Sequence, residues 1–412
     1  MLGLNLGAID NVWFIASLWM GAALLASLIS VRFGLSVALA EILVGVAAGN
    51  FLQLHTTPWI DFLATFGSGL LTFLAGAEID PESLRRHLKP SLAIGTIAFF
   101  TPFVGVVLFA HYVAGWERHA AEIAGIALST TSVAVVYAVM VETGLNRTEL
   151  GKLVLAACFI NDFGTVLALG VLFANFNAWL IAFVAVTAVV LWHLPRATQW
   201  FLAHYGNRVS EPEIKFLFLV LFLLGGFATT AKSEAVLPAY LVGLVIAGTF
   251  LRDRTLAHRM RSIAFSLLTP FYFLKAGLYV SLPAIVASAG LIIVLLALKM
   301  ATKFAGVWPL TRGFRLASRE GMYTTLLMST GLTFGTISAL FGLTNHLIDQ
   351  TQYTILVTVV IGSAVVPTLI AQSFFLPHVA PVEAGAGEPA PLPAPASADS
   401  RGVPVGMEPA RS

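Results

Sequence analysis

The chain has 412 residues, of which 58% are hydrophobic and only 11% are charged. A soluble domain carries about 25% charged residues, so this composition excludes an ordinary soluble protein and indicates a polytopic membrane protein. The small net charge of +2 gives no indication of nucleic-acid binding, and a single cysteine, Cys158, excludes a disulfide framework.

Apolar stretches long enough to cross a bilayer follow one another along the chain. We predict thirteen helical spans, at about residues 11–31, 34–53, 58–79, 90–114, 121–143, 149–174, 177–195, 212–230, 234–251, 260–280, 282–309, 319–342 and 350–374. Residues 379–412 are rich in proline and alanine, which predicts a disordered tail after a transmembrane domain of residues 1–378.

Lysine and arginine are distributed unequally between the two ends of the predicted spans. Eighteen of them follow odd-numbered spans or lie in the tail, whereas Arg118 and Lys232 alone follow even-numbered spans. Because positive charge concentrates on the cytoplasmic side, the N-terminus is predicted outside and the C-terminus inside, in the cell (inner) membrane.

Weak internal similarity recurs at a spacing of about 200 residues. Leu43-Val44-Gly45-Val46 recurs as Leu241-Val242-Gly243-Leu244, Phe73-Leu74-Ala75-Gly76 recurs loosely at residues 273–277, and Ser129-Thr130 recurs as Ser329-Thr330. Each pair is offset by seven spans, an odd number, so the halves, about 34–174 and 234–374, have opposite orientations. Inverted repeats of this kind are typical of secondary transporters.

Two spans contain clusters of small polar residues. Span 5 contains Ser129, Thr130, Thr131 and Ser132, and span 12 contains the run Ser329-Thr330-Gly331-Leu332-Thr333. Such clusters at matching places predict discontinuous helices whose ends offer carbonyl and hydroxyl oxygens to a cation. Close helix–helix packing is the alternative, because small residues also permit close approach.

Asp162 stands in the middle of span 6, directly after Asn161. A charged residue there costs at least about 3 kcal/mol, so intramembrane carboxylates are usually functional. We predict that Asp162 binds one proton or one small cation at a time; a neutral Asp162 bonded to a neighbouring helix is the structural alternative. Glu41, Lys275, Lys299 and Lys303 are the other intramembrane charges considered. Lys275 or Lys299 could snorkel to the membrane surface or serve as a structural hydrogen-bond donor.

Most of residues 10–376 resembles the monovalent cation:proton antiporter-2 family. The similarity rests on the segments AEILVGVAAG (40–49), LLTFLAGAEID (70–80), STTSVAVV (129–136), FINDFG (159–164), TPFYFLKAGL (269–278) and MATKFAG (300–306). The Asn-Asp dipeptide after the STTS segment is the most specific of these.

The resemblance implies an inverted-repeat fold, a homodimer, and an elevator motion of a core that carries spans 5, 6, 12 and 13. By the same resemblance Asp162 is similar to the ion-carrying aspartate, Thr131 and Ser132 to the crossover residues beside it, and Lys303 to a lysine that pairs with the first acid of an Asp-Asp motif. This chain departs from the family pattern in Asn161, in Leu332-Thr333 where the family has Gly-Glu, and in Lys275 where an apolar residue is usual.

These observations predict a transporter, and no enzyme or cofactor, that exchanges Na⁺ (or Li⁺ or K⁺) for H⁺ at Asp162. With one acid instead of two, the exchange is expected to be 1:1 and electroneutral. The alternatives are a potassium/proton exchanger and a sodium-coupled solute symporter on the same architecture.

Overall fold

The computed structural model describes residues 11–33, 36–77, 79, 88–143, 145, 148–173, 178–206, 208–231 and 236–377. Over these residues every regular element is helical, which confirms the all-α prediction. The helices are α1 Val12–Phe33, α2 Val37–Leu52, α3 Pro58–Ala77, α4 Leu88–Tyr112, α5 Arg118–Ser129, α6 Val133–Glu142, α7 Glu149–Leu172, α8 Ala178–Tyr205, α9 Pro212–Thr230, α10 Val236–Arg252, α11 Arg254–Ile263, α12 Thr269–Leu278, α13 Leu282–Ala287, α14 Ala289–Gly313, α15 Ser318–Met328, α16 Thr333–Thr344 and α17 Gln350–Phe374, with a π-helical turn, Ala264–Leu268, between α11 and α12. The predicted tail lies outside the described residues.

The predicted spans correspond to helices of the described chain. Nine helical segments there, with α15 and α16 taken as one, are long and apolar enough to cross a bilayer. Two shorter apolar helices, α2 and α10, the interrupted pair α5–α6, and α11 joined to α12 through the π turn complete the thirteen. The protein is therefore a multi-pass membrane protein, as predicted.

Span 7 is longer than the sequence suggested. The predicted end was residue 195, but α8 continues through Pro195 to Tyr205. The boundary was placed at a proline, which removes one backbone donor and usually ends a helix. Here the helix continues with Pro195 inside it.

The helices pack in two groups. In the first group, which we call the panel, α2 packs against α1 and α12, and α3 packs against α10 and α12. In the second, which we call the core bundle, α4 packs against α5, α7 and α14, while α16 packs against α5 and α17. Both discontinuous helices therefore belong to the core bundle.

Glycines at the helix crossings of the panel show the inverted repeat. A Cβ added at Gly45 would clash with the carbonyl oxygen of Leu274, and one added at Gly277 would clash with that of Ile42. The same arrangement recurs where α3 crosses α10: Gly243 lies against the carbonyl of Phe73, and Gly76 against that of Tyr240. Equivalent glycines in the two halves thus make equivalent close crossings, and only glycine permits this approach.

Candidate functional site

The first discontinuous helix is interrupted at Thr130, Thr131 and Ser132. Helix α5 ends because Thr130 has an extended backbone, with φ −62° and ψ 151°. The Thr130 hydroxyl donates to the carbonyl of Ala127 at 3.0 Å, which satisfies one of the carbonyls left unpaired at the end of a helix. All three residues of the break are buried, so unpaired groups there must find partners inside the protein.

The second discontinuous helix repeats this construction. Helix α15 ends at Met328, and the Thr330 hydroxyl donates to the carbonyl of Leu327 at 2.7 Å, as Thr130 does in the first break. Thr333 is the first residue of α16 and is half-buried. A Cβ at Gly331 would approach the Thr130 Oγ1 to 3.0 Å, so the two breaks lie against one another.

Asn161 connects α7 to the first break. Its Oδ1 accepts a hydrogen bond from the Thr131 N–H at 2.8 Å, and its Nδ2 donates to the carbonyl of Ser129 at 3.3 Å. An amide can serve both backbone groups because it carries an acceptor and a donor. Asn161 therefore holds the interrupted backbone in place.

Asp162 lies beside this junction with one oxygen unpartnered. Its side chain is 1% exposed, and its Oδ1 accepts no hydrogen bond from the described residues. A buried carboxylate without donors is costly unless it is protonated or meets a cation. The arrangement is thus suited to taking up either one.

Lys303 contacts the same junction from α14. Its Nζ donates to the Thr131 Oγ1 at 3.0 Å, and the Thr131 hydroxyl donates in turn to the carbonyl of Met328 at 2.8 Å. This chain of bonds joins α14 to both breaks.

Lys299 lies four residues before Lys303 and lies against the second break, where a Cβ added at Gly331 would clash with its Nζ. It is fully buried, and its Nζ donates to the Ser363 Oγ at 2.9 Å. Snorkelling of Lys299 to the membrane surface, one of the roles considered from the sequence, is therefore wrong. The internal repeat could have indicated the position of Lys299 from the sequence, because it predicts a second interrupted helix beside which a second buried lysine can lie.

The two remaining charges considered from the sequence belong to the panel. Glu41 on α2 is buried, and neither of its carboxylate oxygens has a hydrogen-bond partner in the described chain. Lys275 on α12 is buried, and its Nζ forms an ion pair with the Asp61 Oδ1 at 2.7 Å. Asp61 was not singled out from the sequence, since an acid in the first turn of a helix is usually a simple cap.

Replacing Lys303 by glutamine tests whether this lysine supports the site or carries the proton. Glutamine retains a donor for Thr131 but removes the charge. We expect Lys303→Gln to keep proton-coupled exchange, with an altered apparent KM for the cation and a lower Tm. Cation flux without proton movement in a folded Lys303→Gln protein would instead make Lys303 the proton carrier.

Two interrupted helices that meet beside a buried carboxylate, within an inverted repeat, define the class of secondary active transporters. The family model described as sodium/hydrogen exchanger, transmembrane, matches residues 20–376, and the chain belongs to that family.

Individual relatives agree with this assignment. The chain is 25% identical over 354 residues to a probable Na⁺/H⁺ antiporter 3 of Methanocaldococcus jannaschii, covering 82% of this chain and 89% of that protein. It is 24% identical over 365 residues to the Na⁺/H⁺ antiporter NhaS4 of Synechocystis sp., covering 77% and 88%. The fold is similar to that of the sodium proton antiporter MjNhaP1 of M. jannaschii, with a TM-score of 0.67 at 16% identity, over 89% of this chain and 100% of that one.

Proposed function

We propose that this protein exchanges a monovalent cation, Na⁺ foremost, for H⁺, with both ions competing for Asp162. The observation that carries the proposal is the buried Oδ1 of Asp162, beside two interrupted helices and without a hydrogen-bond donor among the residues described. Family membership supports monovalent cations and protons as the transported ions, and the geometry of the breaks supports Asp162 as the residue that binds them.

Competition at one carboxylate is sufficient to couple the two fluxes. A proton on Asp162 removes the negative charge that attracts the cation, and loss of that proton restores it. The carbonyl and hydroxyl oxygens of Thr130, Thr131, Ser132 and the second break are the candidate remaining ligands. Alternating access then requires only that the empty, charged carboxylate does not cross the membrane.

A 1:1 stoichiometry follows from the number of acids at the junction. Asn161 is neutral and is engaged with the backbone of the first break, so Asp162 is the one acid of the Asn-Asp pair. One positive charge moves in each direction, and the cycle is electroneutral. Most hydroxyls of the breaks donate to carbonyls of their own helices, so few polar groups are left to bind the larger solute of a symporter, which favours a small ion.

Flux measurements on the full chain in proteoliposomes test the function. With a pH dye inside, additions of Na⁺, Li⁺ and K⁺ in turn should each be compared with choline, and Na⁺ should dissipate an imposed pH gradient. Clamping the membrane potential should leave the rate unchanged. Sodium uptake without counter-movement of protons would favour a symporter, and conductance without counter-ion dependence would favour a channel.

Converting Asn161 to aspartate tests its assignment. Aspartate cannot donate to the Ser129 carbonyl as the Asn161 amide does. It also places a negative charge next to Thr131, the residue to which Lys303 donates. We expect Asn161→Asp either to move additional charge per cycle or to lower the rate severalfold through an ion pair with Lys303. Currents on solid-supported membranes distinguish these outcomes; unchanged currents and rates would exclude a role for this position.

Orientation, assembly and motion complete the proposal. The distribution of basic residues supports an N-terminus outside and a C-terminus inside the cell membrane. The resemblance implies a homodimer and an elevator motion, and we include both in the proposal. The elevator motion is supported by the two helix groups, since the breaks and Asp162 all belong to the core bundle, which could move against the panel.

A further inference from the structure

A cavity of about 110 Å³ lies where the panel meets the core bundle. Its walls come from α3, α12 and α16, and its polar lining includes Thr65, Ser68, Lys275 and Thr344. The cavity therefore joins two elements of the panel to one half of the second discontinuous helix.

Lys275, which lines this cavity, forms the ion pair with Asp61 next to it. The Lys275 side chain is 9% exposed and that of Asp61 is 44% exposed, although the Oδ1 that meets the lysine is buried. The lysine therefore lies in the wall, and Asp61 is partly open to the surroundings. Lys275 is in the last turn of α12 and Asp61 is in the first turn of α3, so each charge also suits the dipole of its helix end.

One face of α16 connects this cavity to the neighbourhood of Asp162. Ile337, Phe341 and Thr344 line the cavity, and Phe334 precedes them at the helical spacing of three and four residues. The Phe334 ring lies 6.5 Å from that of Tyr240, and the Tyr240 ring lies 6.0 Å from that of Phe163, the residue after Asp162. This face of α16, together with the rings of Tyr240 and Phe163, therefore extends from the cavity toward the junction of the breaks.

We propose that Asp61 and Lys275 form an electrostatic filter on one access route to Asp162, at the end of the molecule that carries few basic residues. The proposal rests on the proposed cation exchange. A bare ammonium in the wall of the cavity repels an incoming cation, and the carboxylate of Asp61 cancels that charge. Asp61 thereby sets the apparent cation affinity from this side of the membrane alone.

The filter predicts a charge-dependent and one-sided effect of substitution. Asp61→Asn leaves Lys275 uncompensated, and we expect the KM for Na⁺ on this face to rise roughly tenfold. The maximal rate and the KM on the opposite face should stay within about twofold of wild type. Lys275→Gln should lower the KM on this face, and the double variant Asp61→Asn/Lys275→Gln should restore it to near the wild-type value.

Right-side-out and everted membrane vesicles allow the KM to be measured on each face. Asp349→Asn is the matched control: Asp349 is an exposed carboxylate that caps α17 through the Gln352 N–H, and asparagine caps equally well. We expect no change in its KM on either face.

Three outcomes would overturn the filter while leaving the exchange intact. These are equal changes of KM on both faces, failure of Lys275→Gln to rescue Asp61→Asn, and a lower Tm as the single effect of Asp61→Asn, which would make the pair structural. A wild-type protein without sodium-dependent proton movement would instead refute the proposed function, so the two failures are distinguishable.

Discussion

Replacing Asp162 by asparagine is expected to abolish sodium-dependent proton movement while the protein still inserts and folds. Asparagine has nearly the same shape, but its amide cannot take up and release a proton, and it carries no charge to attract a cation. Because the Oδ1 of Asp162 accepts no hydrogen bond from the part of the chain that the structure describes, its substitution removes no hydrogen bond there. Stability should therefore be maintained or rise, since a buried charge is lost.

The measurement is pH-dye flux in proteoliposomes, together with the Tm of the purified protein. Asp349→Asn provides the same chemical change at an exposed helix cap and should retain wild-type flux. If Asp162→Asn kept near-normal flux, the central assignment would be wrong. Loss of flux with a collapsed Tm would point to a structural role for the carboxylate.

Replacing Thr131 by valine should give the largest loss of stability among the site variants. The Thr131 hydroxyl accepts from the Lys303 ammonium and donates to the carbonyl of Met328, and all of this is buried. Valine keeps the shape but leaves a charged donor and a carbonyl each short of a partner. The cost of such unpaired groups is about 3 kcal/mol.

Thermal unfolding in detergent measures this cost, and two variants calibrate it. Thr325→Val removes a buried hydroxyl that donates within its own helix, to the carbonyl of Gly321 at 2.8 Å, and should have a much smaller effect. The double variant Thr131→Val/Lys303→Met removes the stranded charge and should recover most of the lost stability. Equal losses for Thr131→Val and Thr325→Val would refute the proposed network.

Contacts between distant parts of the chain explain the roles that the sequence left open. Lys303 reaches a partner 172 residues away, and Lys299 one that is 64 residues away. Their spacing of four residues predicts a shared helix face, but not that Lys303 bonds to Thr131 of the first break while Lys299 bonds to Ser363 on α17. The role of Asn161 was equally open, since its side chain meets the backbone of Ser129 and Thr131 only when α7 packs against α5.

The sequence by itself determined the features that depend on local composition. Each apolar run long enough to cross the bilayer predicts one span, so the runs give the number of spans. Clusters of hydroxyl residues and glycine in the middle of a run mark where a helix is interrupted. The isolated carboxylate Asp162 stands out for the same reason, because its cost is set by the apolar residues around it.

Only the tertiary structure decided which charges work together. Lys275 and Asp61 are 214 positions apart in the numbering and pair because α3 packs against α12. Neither residue type nor spacing encodes that pairing, since several acids and lysines lie in apolar segments and all could pair equally well by charge. Packing of the helices selects Asp61 as the partner of Lys275, because the crossing of α3 and α12 brings these two charges within reach of one another.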